Sequence, residues 1–291
     1  MKMTFRHYGD NDPVTLEKIS QIPTVRSIVS AVYDVAPGGV WSRESINAIK
    51  TKAAAHGLEF EVVESVPVSE DIKLGNENAA KHLDVYCENI RRLSEAGVKC
   101  ICYNFMPVFD WFRSNLERVE ADGSNSLAYD EKVVSTLDPL SGNFSLPGWD
   151  ESYTKDGLRA LLAKYDEMGE EGLWKNFQNF LEAVMPIAHE CGVNMAIHPD
   201  DPPWGIFGLP RIISNEANYK RFLKMVDVKE NGITFCTGSL GLLSPAVRAP
   251  STFCRCASFW AAASCSARAI CSAFRSSARL RAGICRGFTS I

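Results

Sequence analysis

Asn194-Met195-Ala196-Ile197-His198-Pro199-Asp200-Asp201 is the stretch on which the fold turns. Its alternation puts Asn194, Ala196 and His198 on one face of an extended segment and Met195 and Ile197 on the other. Proline ends the run and two carboxylates follow. Upstream, Phe177, Phe180, Leu181, Val184, Met185 and Ala188 recur at helical spacing before Gly192. The pair reads as a crossover helix feeding a strand whose last inward position is a histidine.

Five more short β-branched or aromatic runs precede or follow it, at 4–8, 27–34, 58–66, 99–106 and 232–239. Helical patterns fill the gaps between them. Asp12-Pro13 has the form of a cap and first helical residue ahead of Val14, Leu16 and Ile19. Ser42 is placed to cap a helix ending at Gly57, and Leu83, Cys87, Ile90 and Leu93 share a face ahead of Gly97. Tyr219, Phe222, Leu223 and Val226 repeat the pattern. Alternating strands and helices predict an α/β fold with a parallel sheet. Without GxGxxG or GxxxxGK[ST], the series points to a TIM (β/α)8-type barrel, of which six of eight units lie in residues 1–241. The long gap at 107–175, weighted by Trp111, Phe112, Trp149 and Trp174, is predicted to be a lid insertion over the active-site end.

Residues 242–291 differ in kind. They hold no Asp, Glu, Lys or His, but seven Arg, nine Ser, eleven Ala and five Cys. The remainder carries 24 basic against 35 acidic side chains. Such a composition is what a wrong reading frame of GC-rich coding sequence produces, so 242–291 is expected to be a frameshifted or disordered tail. An acidic body offers no electrostatic footprint for nucleic acid. Cys87, Cys100, Cys102, Cys191 and Cys236 form no framework spacing, and no apolar run suits a signal peptide or membrane span. A reduced, cytoplasmic protein without a membrane partner is expected.

Catalytic groups in such barrels sit at the C-terminal strand ends. His198 ends the fifth run, and Cys236 falls on the same face as Thr234 in the sixth. Neighbouring imidazole and thiolate suit a divalent metal such as Zn²⁺, Fe²⁺ or Mn²⁺. The same residues also suit a hydrogen-bonded core histidine and a small buried hydrophobe. Arg6 has the fork to bind a carboxylate, Asn104 can donate to a hydroxyl or cap a turn, and Asp200 is placed either to orient His198 or to stiffen a turn.

Several segments together resemble the mannonate dehydratases: Met3-Thr4-Phe5-Arg6 with Tyr8-Gly9, Gln21-Ile22-Pro23, Glu64-Ser65-Val66-Pro67-Val68, Glu70 to Gly75, Cys102 to Trp111, His198 to Pro203, and Phe235 to Ser239. The resemblance implies a xylose-isomerase-like barrel and a hydro-lyase that converts D-mannonate to 2-keto-3-deoxy-D-gluconate in hexuronate breakdown with Mn²⁺ or Fe²⁺. It implies His198 and Cys236 as metal ligands, and the chemistry of such a substrate makes Arg6, Tyr8 and Asn104 the candidates to bind its carboxylate and hydroxyls. The family's further ligands and proton-transfer residues lie on later strands and have no counterpart in 242–291. The general acid and base are therefore unassigned, and weak metal binding, low stability and little dehydratase activity are expected. Alternatives are a related metal-dependent sugar isomerase or epimerase, and a non-catalytic truncated product. A homo-oligomer is the one macromolecular association admitted.

Overall fold

All six runs are strands, and they pair side by side in chain order. A computed structural model describes residues 2–141 and 153–241 together with Ala262 and Ala263. Trp149 and the rest of 242–291 lie outside the described residues. The parallel strands are β1 (Met3–Arg6), β2 (Val25–Ser30), β3 (Glu59–Glu64), β4 (Cys100–Tyr103), then β7 (Asn194–Ile197) and β8 (Asn231–Thr234). Between β4 and β7 runs a separate antiparallel hairpin, β5 (Asn115–Val119) and β6 (Asn125–Ala128).

Each ladder stops short of the predicted run. β8 ends at Thr234 because the Cys236 amide turns back onto the Thr234 carbonyl at 3.1 Å. Asn104, His198 and Cys236 therefore stand one or two residues beyond their strands, in the loops that leave the sheet. His198 keeps one ladder-like bond, its amide donating to the Tyr103 carbonyl at 2.7 Å.

The helices follow the apolar spacing, with one cap reassigned. α1 (Leu16–Ser20) is capped by Thr15, not by Asp12. The Asp12 carboxylate instead accepts from the amides of Tyr8 and Val14, both at 2.8 Å, and closes the loop after β1. α2 (Arg43–Ala55) begins at Ser42, whose hydroxyl accepts from the Ser45 amide, as expected of a Ser cap. α3 (Glu70–Leu74), α4 (Ala79–Glu95) and α5 (Glu131–Val134) precede α6 (Lys155–Cys191), which breaks its helical geometry at Gly169 and stops at left-handed Gly192. α7 (Glu216–Met225) and α8 (Thr237–Gly241) complete the set.

The core lies between the sheet and these helices. Phe177, Phe180, Leu181 and Val184 of α6 are fully buried, with Phe177 stacked on Phe222 of α7 at 5.6 Å and 9°. Burial of this apolar face, at about 25 cal/mol per Å², rather than helix propensity, holds the crossover helix in place.

Six strands are an arc of a barrel. β1 has no second partner among the described residues, which agrees with an incomplete barrel. A six-stranded arc would leave the β8 edge open as well, but that edge is partly paired. Ala262–Ala263 forms β9 antiparallel to it, pairing with Thr234 and Ile233. An unpaired strand edge presents a row of backbone donors and acceptors, and here two residues satisfy part of it without adding a βα unit.

Candidate functional site

The loops leaving the C-terminal ends of the parallel strands converge on His198. Its Nδ1 lies 2.6 Å from the Pro199 carbonyl, and the ring is hydrogen-bonded to Cys236. Burial works against the charged imidazole, but Cys236, Glu64 and Asp201 outweigh it and raise the His198 pKa. Cys236 responds in kind. Burial would push the thiol up, yet the bond to His198 and contacts from Ser239 bring it down to about 7. The Ser239 hydroxyl reaches the sulfur at 3.4 Å, and Cys236 immediately precedes α8, where amide groups point toward a thiolate. The N/S donor pair anticipated from alternation is thus assembled by adjacent strands β7 and β8.

Across the mouth, Arg6 and Glu64 form an ion pair with Nη1 and Oε2 2.6 Å apart. Burial raises the Glu64 pKa in spite of Arg6 and His198. The Arg6 Nε is buried and has no hydrogen-bond partner among the described residues. Above it lies Tyr8, largely exposed, with the guanidinium 4.8 Å from its ring centre. Tyr33 stands beside Tyr8 at 6.3 Å.

Asn104 is part of the turn after β4. Its Oδ1 accepts from the Met106 amide at 3.2 Å and its Nδ2 faces Asp110 at 3.4 Å. Asp200 is fully buried, and its Oδ2 accepts from the Ile213 amide at 2.8 Å. Burial raises the Asp200 pKa, against the pull of Arg211 and His198. Its link to His198 is through charge, while its carboxylate accepts from the loop before α7.

Five groups outside the expected site residues sit here as well. Glu64 ends β3 and pairs with Arg6. Asp201 receives both Nη atoms of Arg113, at 2.9 and 2.7 Å. Arg211 is buried and donates to the Phe109 carbonyl at 2.8 Å. Asp110 faces Asn104. Glu64 was visible as a polar strand end; Arg113 and Arg211 lie in irregular segments with no periodic signal to mark them.

A donor set of one imidazole and one lowered thiol fits a borderline divalent metal. Among the described residues no three His, Cys, Asp or Glu side chains come together as a metal-binding group. Nor is any helix there long and apolar enough to cross a membrane.

Comparison with known proteins agrees with this architecture. The family model for D-mannonate dehydratase (UxuA) matches residues 1–251, somewhat past Gly241. A mannonate dehydratase of Oceanobacillus iheyensis is 53% identical over 243 residues, covering 84% of this chain and 70% of its own. Mannonate dehydratase 2 of Halalkalibacterium halodurans is 52% identical over 241 residues, covering 83% and 70%. The crystal structure of mannonate dehydratase from Streptococcus suis superposes with a TM-score of 0.76 at 46% identity, covering 83% of this chain and 65% of that one. With a matching family model over most of its length and relatives above half identity, the chain belongs to the mannonate dehydratase family of hydro-lyases.

Proposed function

We propose that the site at the strand ends takes D-mannonate and eliminates water to give 2-keto-3-deoxy-D-gluconate, in cytoplasmic hexuronate breakdown. The observation that carries this reading is the His198–Cys236 pair at the mouths of β7 and β8. The reaction removes a proton from the carbon beside a carboxylate and expels hydroxide from the next carbon. Family members depend on a metal; Mn²⁺ or Fe²⁺ held by His198 and Cys236 would supply Lewis acidity toward the developing enediolate.

The chain's own groups account for binding. Arg6 offers its guanidinium to the substrate carboxylate, Tyr8 an exposed ring and hydroxyl, and Asn104 its amide. Asp200 supports the loop behind His198. The acid and base are unassigned. A catalytic metal ordinarily has three or more protein ligands, and two candidates stand together among the described residues, so metal binding and turnover are expected to be weak. The discordant composition of 242–291 supports a frameshift there, which resequencing across codons 235–250 tests directly.

The functional test incubates purified protein with D-mannonate and Mn²⁺ or Fe²⁺ and follows the 2-keto-3-deoxy acid, with Mn²⁺ binding measured separately by equilibrium dialysis. Slow water loss that disappears in His198→Ala and Cys236→Ser supports the reading. A product of unchanged mass marks an isomerase or epimerase, and turnover at the rate of a full-length relative sinks the expectation of impairment. Self-association is tested by sedimentation of the same sample.

A further inference from the structure

We propose that Arg113 is a positioning residue for His198, acting through Asp201 to lock the loop after β4 and the loop after β7 into one unit. β4 and β7 are paired neighbours, with Tyr103 opposite Ile197. The loops that leave them carry Asn104 and His198, and past the one bond from the His198 amide to the Tyr103 carbonyl the ladder no longer holds them.

The Arg113–Asp201 fork joins them. Both side chains are mostly out of water, at 20% and 13% exposure, and both Asp201 oxygens are engaged by the guanidinium. Arg113 is itself steadied from below, Nη1 also donating to the Phe112 carbonyl at 2.8 Å. Planar, two-point pairing fixes orientation as well as distance, which a single point charge does not. Asp201 lies three residues past His198, and its amide approaches the Met106 sulfur at 3.3 Å on the other loop.

Independent contacts run along the same seam. Phe207 meets Phe109 and Phe112 edge-on at 5.9 and 5.3 Å. The Trp204 indole donates to the Tyr129 hydroxyl at 3.1 Å, and Arg211 donates to the Phe109 carbonyl. These packings bring the two loops together, but they lie farther along the chain from His198 than Asp201 does. The fork is a charged side-chain link between the two loops only three residues from His198, and Asp201 is also one of the charges that His198 feels. His198 is therefore held by the β4 side of the site, independently of the Cys236 side.

This inference takes His198 as a site residue from the functional reading above, but its test reads geometry in the full-length protein without substrate. The chain has five His, so ring signals of ¹⁵N-histidine-labelled protein are few, and His198→Gln assigns the one of interest. In Arg113→Ala and in Asp201→Asn the His198 ring signals are expected to move while those of His56 and His82 stay. Amide exchange across 199–213 is expected to quicken at least tenfold, with little change in α2. Arg113→Lys, which keeps the charge and the stem but not the fork, restores less than half of the shift; it decides the matter if Arg113→Ala folds poorly. Unmoved His198 signals with unchanged protection of 199–213 overturn the proposal, even if dehydratase activity falls. Equal movement of all five histidines also overturns it, since that marks general destabilisation.

Discussion

The Cys236 thiol is hydrogen-bonded to the His198 imidazole across the ends of two adjacent parallel strands. Its ionisation lies at about 7, whereas that of Cys100, in the middle of the sheet, is pushed up to about 12 by burial. Thiolate is the reactive form. Iodoacetamide should therefore modify metal-free protein at Cys236 with a rate that rises through half-maximum near pH 7, while Cys100 stays silent across the neutral range. Peptide mapping by mass spectrometry checks this, and equal labelling of the two would contradict it.

Arg6 and Glu64 form a mostly buried pair at the opposite side of the mouth. Arg6→Met removes the ion-pair partner of a carboxylate whose pKa burial already raises above 4.5, leaving it the smaller influence of His198. The expected loss is about 1–3 kcal/mol at neutral pH. Because the folded pKa is raised, the penalty is absent while Glu64 is protonated in both states and grows as pH climbs from the unfolded value through the folded one. Urea midpoints of parent and variant should converge toward pH 4 and separate toward pH 8; a gap independent of pH would point to packing alone.

Phe180 is fully buried on α6 and meets Tyr86 at 5.0 Å, Tyr103 at 5.5 Å and Phe105 at 5.6 Å. Phe180→Ala opens a cavity between the crossover helix and β4 and should cost about 3–5 kcal/mol. Against the marginal stability of an ordinary domain, loss of the cooperative thermal transition is the expected outcome.

Gly75 and Gly192 both end helices at φ +64, but their surroundings differ. A methyl group on Gly192 meets nothing within 4 Å among the described residues, whereas one on Gly75 falls 2.5 Å from Asn176 Oδ1, whose amide holds the Lys73 carbonyl. Each alanine pays the left-handed backbone cost of roughly 1–2 kcal/mol. Gly75→Ala should lose measurably more in chemical denaturation, and equal losses would show that Asn176 moves aside freely.

Periodicity carried much of this molecule. Short β-branched or aromatic runs marked all six parallel strands, and the 3.6-residue spacing of Phe177 to Ala188 marked the face of α6 that is buried. Those signals are local, so they survive without knowledge of partners. Asp12 was misplaced as a cap because Asp-Pro has the right form for one; only the folded loop shows its carboxylate closing back on Tyr8. The hairpin of β5 and β6 also escaped, since its strands are short and half exposed, with Val119 and Leu127 turned to solvent.

Alternation and strand order placed His198 and Cys236 on facing positions of neighbouring strands, because side-chain direction in an extended segment is set by position alone. Which charges surround them is a different matter. Arg113, Asp201, Arg211 and Asp110 sit in irregular loops, and their pairing depends on how the segment after β4 folds back over the segment after β7, a long-range contact that no local period encodes. The pair itself could be read from the chain; the grip on it arises only where those loops meet.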